Sequence, residues 1–280
     1  MIFFKGRKVV IATKHKKEEV IAPILEKELG LICITPIGLD TDKLGTFSGE
    51  VEREDDPITT LRKKCMMAIE ASGIDVAIAN EGSFGGHPTV FFAHADDELV
   101  MLVDKKNDIE IIERELSLDT NFNGAEINSV DKLIEFANRI GFPSHGIILK
   151  KAKNNHSVII KVNRSIEELV ENYNFIKNAD NLAYAETDMR AMYNPTRMKV
   201  IAQATERLVI KIKSLCPKCN TPGFGVVETV KGLPCEMCGL PTRSTLKHIY
   251  RCQKCNYQIA KEFPFDKRVE SPQFCDYCNP

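Results

Sequence analysis

Ten cysteines stand in this chain of 280 residues, and eight of them form four Cys-x-x-Cys pairs: Cys216/Cys219, Cys235/Cys238, Cys252/Cys255 and Cys275/Cys278. A Cys-x-x-Cys turn presents two thiolates to one tetrahedral ion, and two such turns complete a four-cysteine site. Taken in chain order, the first two pairs are separated by 15 residues and the last two by 19, which is zinc-ribbon spacing. Two structural Zn2+ ions are therefore expected, with pairing in chain order. Other pairings stay open: Cys235/Cys238 and Cys252/Cys255, only 13 residues apart, could share one ion. Redox chemistry would need activated thiols in a thioredoxin-like setting, which the flanking residues do not supply. Catalytic zinc would need an open coordination position, which four cysteines do not leave. Asn220, Gly239 and Asn256 each follow a second cysteine, where the knuckle turns with φ > 0. Cys33 and Cys65 lie among apolar residues and read as core.

A second stretch with chemical content is Ile74–Pro88, IDVAIANEGSFGGHP. Its alternating apolar start reads as a strand, and Asn80 and Glu81 arrive where that strand should end. Gly82, Gly85 and Gly86 then permit φ > 0 and close approach to a ligand, with Ser83 and His87 as donors. The competing reading is a tight strand-to-strand connection, with Glu81 in solvent and His87 capping the turn. Two further junctions are rich in charge. Thr13-Lys14-His15-Lys16-Lys17 joins a strand (8–13) to a helix and suits an anion at a helix N-terminus; a solvated basic turn is the alternative. Glu186-Thr187-Asp188-Met189-Arg190 leaves the last strand of the large domain and precedes Arg197, so two carboxylates meet two arginines, the components of a metal-and-phosphate site or of a structural ion-pair cluster.

The elements that must position these residues follow from pattern. Helical spacing runs from Glu18 to Gly30, and Leu31–Pro36 reads as a strand. Residues 38–56 hold three glycines and seven acids with little helical period, a long loop of the kind that carries function; Asp40 and Asp42 offer oxygen ligands. Asp56 as N-cap and Pro57 at the first helical position open a helix through Ala71. Residues 89–95, 98–104 and 109–117 read as three antiparallel strands. Helices over 129–139 and 165–179 alternate with strands over 141–152, 157–162 and 182–186, and Asn194-Pro195 opens a long helix to about Ser214. The fold expected is α/β with a mixed sheet over residues 1–212, followed by a small double zinc ribbon over residues 213–280.

Composition is that of an ordinary globular protein: 43% apolar, 28% charged, net charge −1. No apolar run reaches the ~18 residues of a membrane helix, and the N-terminus lacks an export signal, so a cytoplasmic protein is expected. Residues 213–280 hold ten Lys/Arg against six Asp/Glu. Two zinc sites of four thiolates, each formally −2, would cancel that excess and weaken any argument for nucleic acid from charge. The tail's aromatic and basic residues still leave open single-stranded nucleic acid, a protein partner, or a lid role.

The segments VVIATKHKKEEVIAPILEKELG, GIDVAIANEG and ETDMRAMYNPTRMKVIAQATERL resemble, in order and spacing, the inosine/xanthosine triphosphate pyrophosphatases. The whole chain more closely resembles an uncharacterised bacterial group marked by EGSFGGHP, ETDMRAMYNPTRM and the four-pair cysteine tail. The first resemblance implies a three-layer fold and a metal-dependent hydrolase of a nucleotide or other phosphorylated small molecule. It would make Glu81 and Asp188 carboxylates holding Mg2+ or Mn2+, with Thr13, Lys14, His15 and Arg197 on phosphate. To these the stretches read above add Glu186 as a further carboxylate and Ser83, His87 and Arg190 as further phosphate donors. His15 stands where that family has an asparagine, and Glu18 where it has a phosphate lysine, whose charge Lys14, Lys16 or Lys17 could supply instead. The rival class is a ligand-sensing module whose zinc tail contacts nucleic acid or protein.

Overall fold

A computed structural model describes residues 3–36, 38–44 and 55–280. Most of the acidic loop expected over 38–56, and the side chain of Asp42, lie outside the described residues. The chain divides into two compact units, Met1–Val209 and Ile210–Pro280.

The first unit begins with β1 (Lys8–Ala12), α1 (Glu18–Leu29), β2 (Ile32–Ile34), α2 (Pro57–Ser72), β3 (Val76–Gly86), β4 (His94–Asp104) and β5 (Ile109–Ser117). These strands form one mixed sheet in the order β2-β1-β3-β4-β5, parallel through β2-β1-β3 and antiparallel beyond. The β-branched and alanine run of β1 and β3 is buried on both faces, as parallel strands require. Val10, Ala12, Ala77, Ala79, Met101 and Val103 pack against Leu61, Cys65, Ala68 and Ile69 of α2. Asp56 caps α2 by accepting from the amides of Ile58 and Thr59, with Pro57 in the first turn.

Next come β6 (Gly124–Ile127), α3 (Val130–Ile140), β7 (Ile147–Lys150), β8 (Ile159–Val162), α4 (Ile166–Ile176) and β9 (Ala183–Thr187). Their strands make a separate antiparallel sheet, β6-β9-β7-β8, covered by α3 and α4 over one shared core. α5 (Pro195–Lys213) closes the unit, and the division between units falls inside it. The second unit carries a three-stranded antiparallel sheet of β10 (Gly225–Lys231), β11 (Thr245–Arg251) and β12 (Gln258–Glu262).

Three expectations change. Residues 89–95 are not a strand of their own: the amides of Thr89 and Val90 donate to His87 Nδ1 at 3.2 and 3.0 Å, the chain turns there, and β4 runs unbroken from His94. β3 does not stop at Asn80 but pairs with β4 through Gly86, and none of Gly82, Gly85 and Gly86 has positive φ. Gly82 is required for space instead, since a Cβ there would fall 2.6 Å from the Glu98 carboxyl carbon. The four-residue β6, too short to read from pattern, pairs with β9 at one edge of a second sheet, so the strands after β5 form a sheet of their own instead of joining the first.

Candidate functional site

β1 and β3 are neighbours, with Ala12 beside Ala79, so the residues that follow them emerge together. The turn Thr13–Lys17 puts Lys16 at φ 59°, an unusual conformation for a lysine, before α1 begins. Its outer side lines a cleft of about 480 Å3 with Thr13, Lys14, Lys16 and Glu18 on one wall and Thr35, Pro36, Gly38, Leu39 and Asp40 on the other. The cleft lies at the carboxyl ends of parallel strands, where open α/β sheets bind ligands. Thr13 is 6% exposed and its Oγ1 has no hydrogen-bond partner among the described residues. Lys14 pairs with Asp40 at 2.9 Å, and His15 is half-buried.

The inner side of the same turn is Lys17. Its amine donates to Asn80 Oδ1 at 2.7 Å, and burial, with Arg197 and Lys64 nearby, pulls its pKa down to about 7. Glu81 and Glu98 are the anions that oppose this shift, so Lys17 stands among two cations and two carboxylates. Glu81 is ion-paired with Lys64 of α2, both buried. Glu98 accepts from Arg197 Nε at 2.6 Å and from Asn80 Nδ2 at 2.8 Å. Arg197, 1% exposed, donates from Nη1 to the Met189 carbonyl and lies over the Phe84 ring. Its amide donates to Asn194 Oδ1, so the asparagine caps α5 and aims the arginine at β4.

The remaining expected residues sit elsewhere. Asp188 is enclosed by Arg190, which donates from its amide, Nε and Nη2, and Arg190 stacks on Tyr193 at 4.5 Å. Glu186 pairs with Lys150 at 2.6 Å. Ser83 is half-buried opposite Asp97, and His87 caps its turn. Among the described residues the only groups of three or more metal-ligating side chains are the cysteines. Lys64, Asp96 and Glu98 were not singled out from sequence, and Lys17 was read only as one basic residue of its turn. Nothing in the local pattern marks it as the lysine that turns inward, and the acids of β4 sit in a strand pattern whose polar positions normally face water.

In the second unit the four pairs converge, but not in chain order. Cys216, Cys219, Cys252 and Cys255 form one group and Cys235, Cys238, Cys275 and Cys278 the other, so the first pair joins the third and the second joins the fourth. The β10–β11 hairpin decides this by setting Gly225 beside Arg251, which brings the first knuckle to the third. A bridge between Cys235 and Glu270 brings the second knuckle to the fourth. Sulfur separations of 3.6 to 3.9 Å match the ~3.8 Å edge of a tetrahedron with ~2.3 Å metal–sulfur bonds, so each group could hold a metal ion. Asn220, Asn256 and Gly239 have the expected positive φ, at 56°, 56° and 73°. Phe224, Tyr250 and Tyr257 pack around the first group.

No helix among the described residues is long and apolar enough to cross a membrane. No curated protein matches the chain. A family model described as a domain of unknown function, DUF6671, matches residues 64–280, from Lys64 of the buried ion pair through the last cysteine knuckle, and the chain belongs to that family.

Proposed function

We propose that the first unit binds and hydrolyses a phosphorylated small molecule, with a nucleotide as the ligand suggested by the pyrophosphatase resemblance, and that the second unit folds around two Zn2+ ions. The carrying observation is Thr13: a buried hydroxyl without a partner, in a cleft with Lys14 and Lys16 on its wall and an α-helix N-terminus beside it. Lys14 and Lys16 supply charge for phosphate, and the Thr13 hydroxyl supplies a directed donor. Behind them, outside the lining of the cleft, Lys17 is held on Asn80 with its pKa pulled down to about 7. It also turns inward beside Glu81, as an answer to the family lysine that Glu18 replaces.

Glu81, Asp188 and Glu186 are each held by a cation, Lys64, Arg190 and Lys150. That donor set, already neutralised by these cations, does not fit a resident Mg2+ or Mn2+. For the second unit, all-thiolate tetrahedra at these separations favour zinc as a structural ion.

The test is phosphate and pyrophosphate release from canonical and deaminated nucleoside triphosphates and sugar phosphates, with and without Mg2+ or Mn2+. Thr13→Val is expected to raise KM about 10-fold with kcat little changed. Pyrophosphate binding by calorimetry without turnover on any substrate would replace catalysis by ligand sensing. Neither binding nor turnover would sink the phosphate reading altogether.

A further inference from the structure

β4 carries two carboxyl groups two residues apart, Asp96 and Glu98, both 0% exposed. Strand alternation puts them on one face, with Glu98 opposite Gly82 and Asp96 opposite Phe84. Glu98 has donors for both oxygens, Arg197 Nε and Asn80 Nδ2. Among the described residues Asp96 has none: neither of its oxygens meets a donor, although its carboxyl lies within hydrogen-bonding reach of Glu98. The charged groups that face it are Glu98 and Asp97 of its own strand and Arg197 from α5. Asp97 belongs to the other face, where Arg114 of β5 holds it at 2.6 and 2.7 Å. Phe84, across from Asp96 on β3, brings no charge. An ionised carboxylate in so dry a place, beside a second one and with no donor of its own, is strongly disfavoured. A proton removes the conflict, because it changes Asp96 from a surplus acceptor into the donor that the pair lacks.

We infer that Asp96 is a neutral carboxylic acid in the folded protein, donating to Glu98, and that this hydrogen bond holds Glu98 in place against Arg197. Asp96 is thus a positioning residue, acting on the arginine through the glutamate. The inference goes beyond the phosphate reading and stands or falls without it. Burial, followed by the Glu98 charge, pushes Asp96 up to about 9, in the same sense. Because the folded form keeps its proton where the unfolded chain has lost it, this group lowers stability progressively as pH rises from about 4 toward about 9.

Infrared difference spectra of the full chain at neutral pH test the proton directly. A protonated-carboxyl carbonyl stretch is expected in wild type, shifted in D2O and missing in Asp96→Asn. In thermal melts the stability of Asp96→Asn relative to wild type is expected to rise between about pH 5 and about pH 8, since the amide carries no such slope. The Arg197 Nε–H proton resonance reads the positioning: unchanged in Asp96→Asn, whose amide still donates, and displaced in Asp96→Leu, which cannot. A folded wild type with no such band, or with a band that survives in Asp96→Asn, overturns the protonation. An Arg197 resonance identical in all three proteins overturns the positioning.

Discussion

Lys17 is where the β1–α1 turn changes from surface to interior, and its depressed pKa has a definite sign in stability. Between about pH 7 and its ordinary value of 10.5 the unfolded chain holds a proton that the folded one lacks, so stability rises with pH across that window by at most ~1.4 kcal/mol per unit. Lys17→Met is expected to flatten that rise in thermal melts. The Lys64–Glu81 pair gives a sharper contrast, because a buried carboxylate that loses the cation beside it has no bulk water to turn to. Lys64→Met is expected to cost about 3–5 kcal/mol in urea unfolding, and Lys64→Met combined with Glu81→Leu to recover most of it.

At the scale of elements, β3 and β4 do two jobs along one hairpin. Residues 76–79 and 100–104 are core, and the stretches nearer the turn, from Asn80 to Gly86 and from His94 to Leu99, carry the polar cluster. Gly82 is the pivot of that arrangement, since its missing side chain leaves the room that Glu98 fills. Gly82→Ala is expected to destabilise by about 2 kcal/mol or more, through overpacking rather than backbone strain. Loss of the Arg197 Nε–H signature alongside stability would tie that cost to the Glu98 site.

For the whole molecule, the two units depend on different forces. The first has apolar cores on both of its sheets, whereas the second buries little beyond its cysteines and the Phe224 cluster, so metal held by the two cysteine groups would be what makes it stable. Elemental analysis is expected to find two zinc ions per chain. Because the knuckles interleave, with the three-stranded sheet joining them, Cys235→Ser is expected to loosen metal at Cys216, Cys219, Cys252 and Cys255 as well. Chelation should therefore expose the chain beyond about Lys213 to protease while the first unit keeps its amide protection from exchange.

Local signals were legible wherever one residue type has one use. The helix caps Asp56 and Ser129, the positive-φ residues after the knuckles and the four cysteine pairs all follow from nearest-neighbour chemistry. So does the charged turn at Thr13–Lys17, although not which of its lysines turns inward. What tertiary structure alone decided are the facts that need a partner distant in sequence. Cys216 meets Cys252 because two strands pair between them, and Glu98 is buried because Arg197, 99 residues away, arrives to neutralise it. Spacing along the chain determines which groups a site can contain; only the register of strands and the reach of helices determine which of them share one.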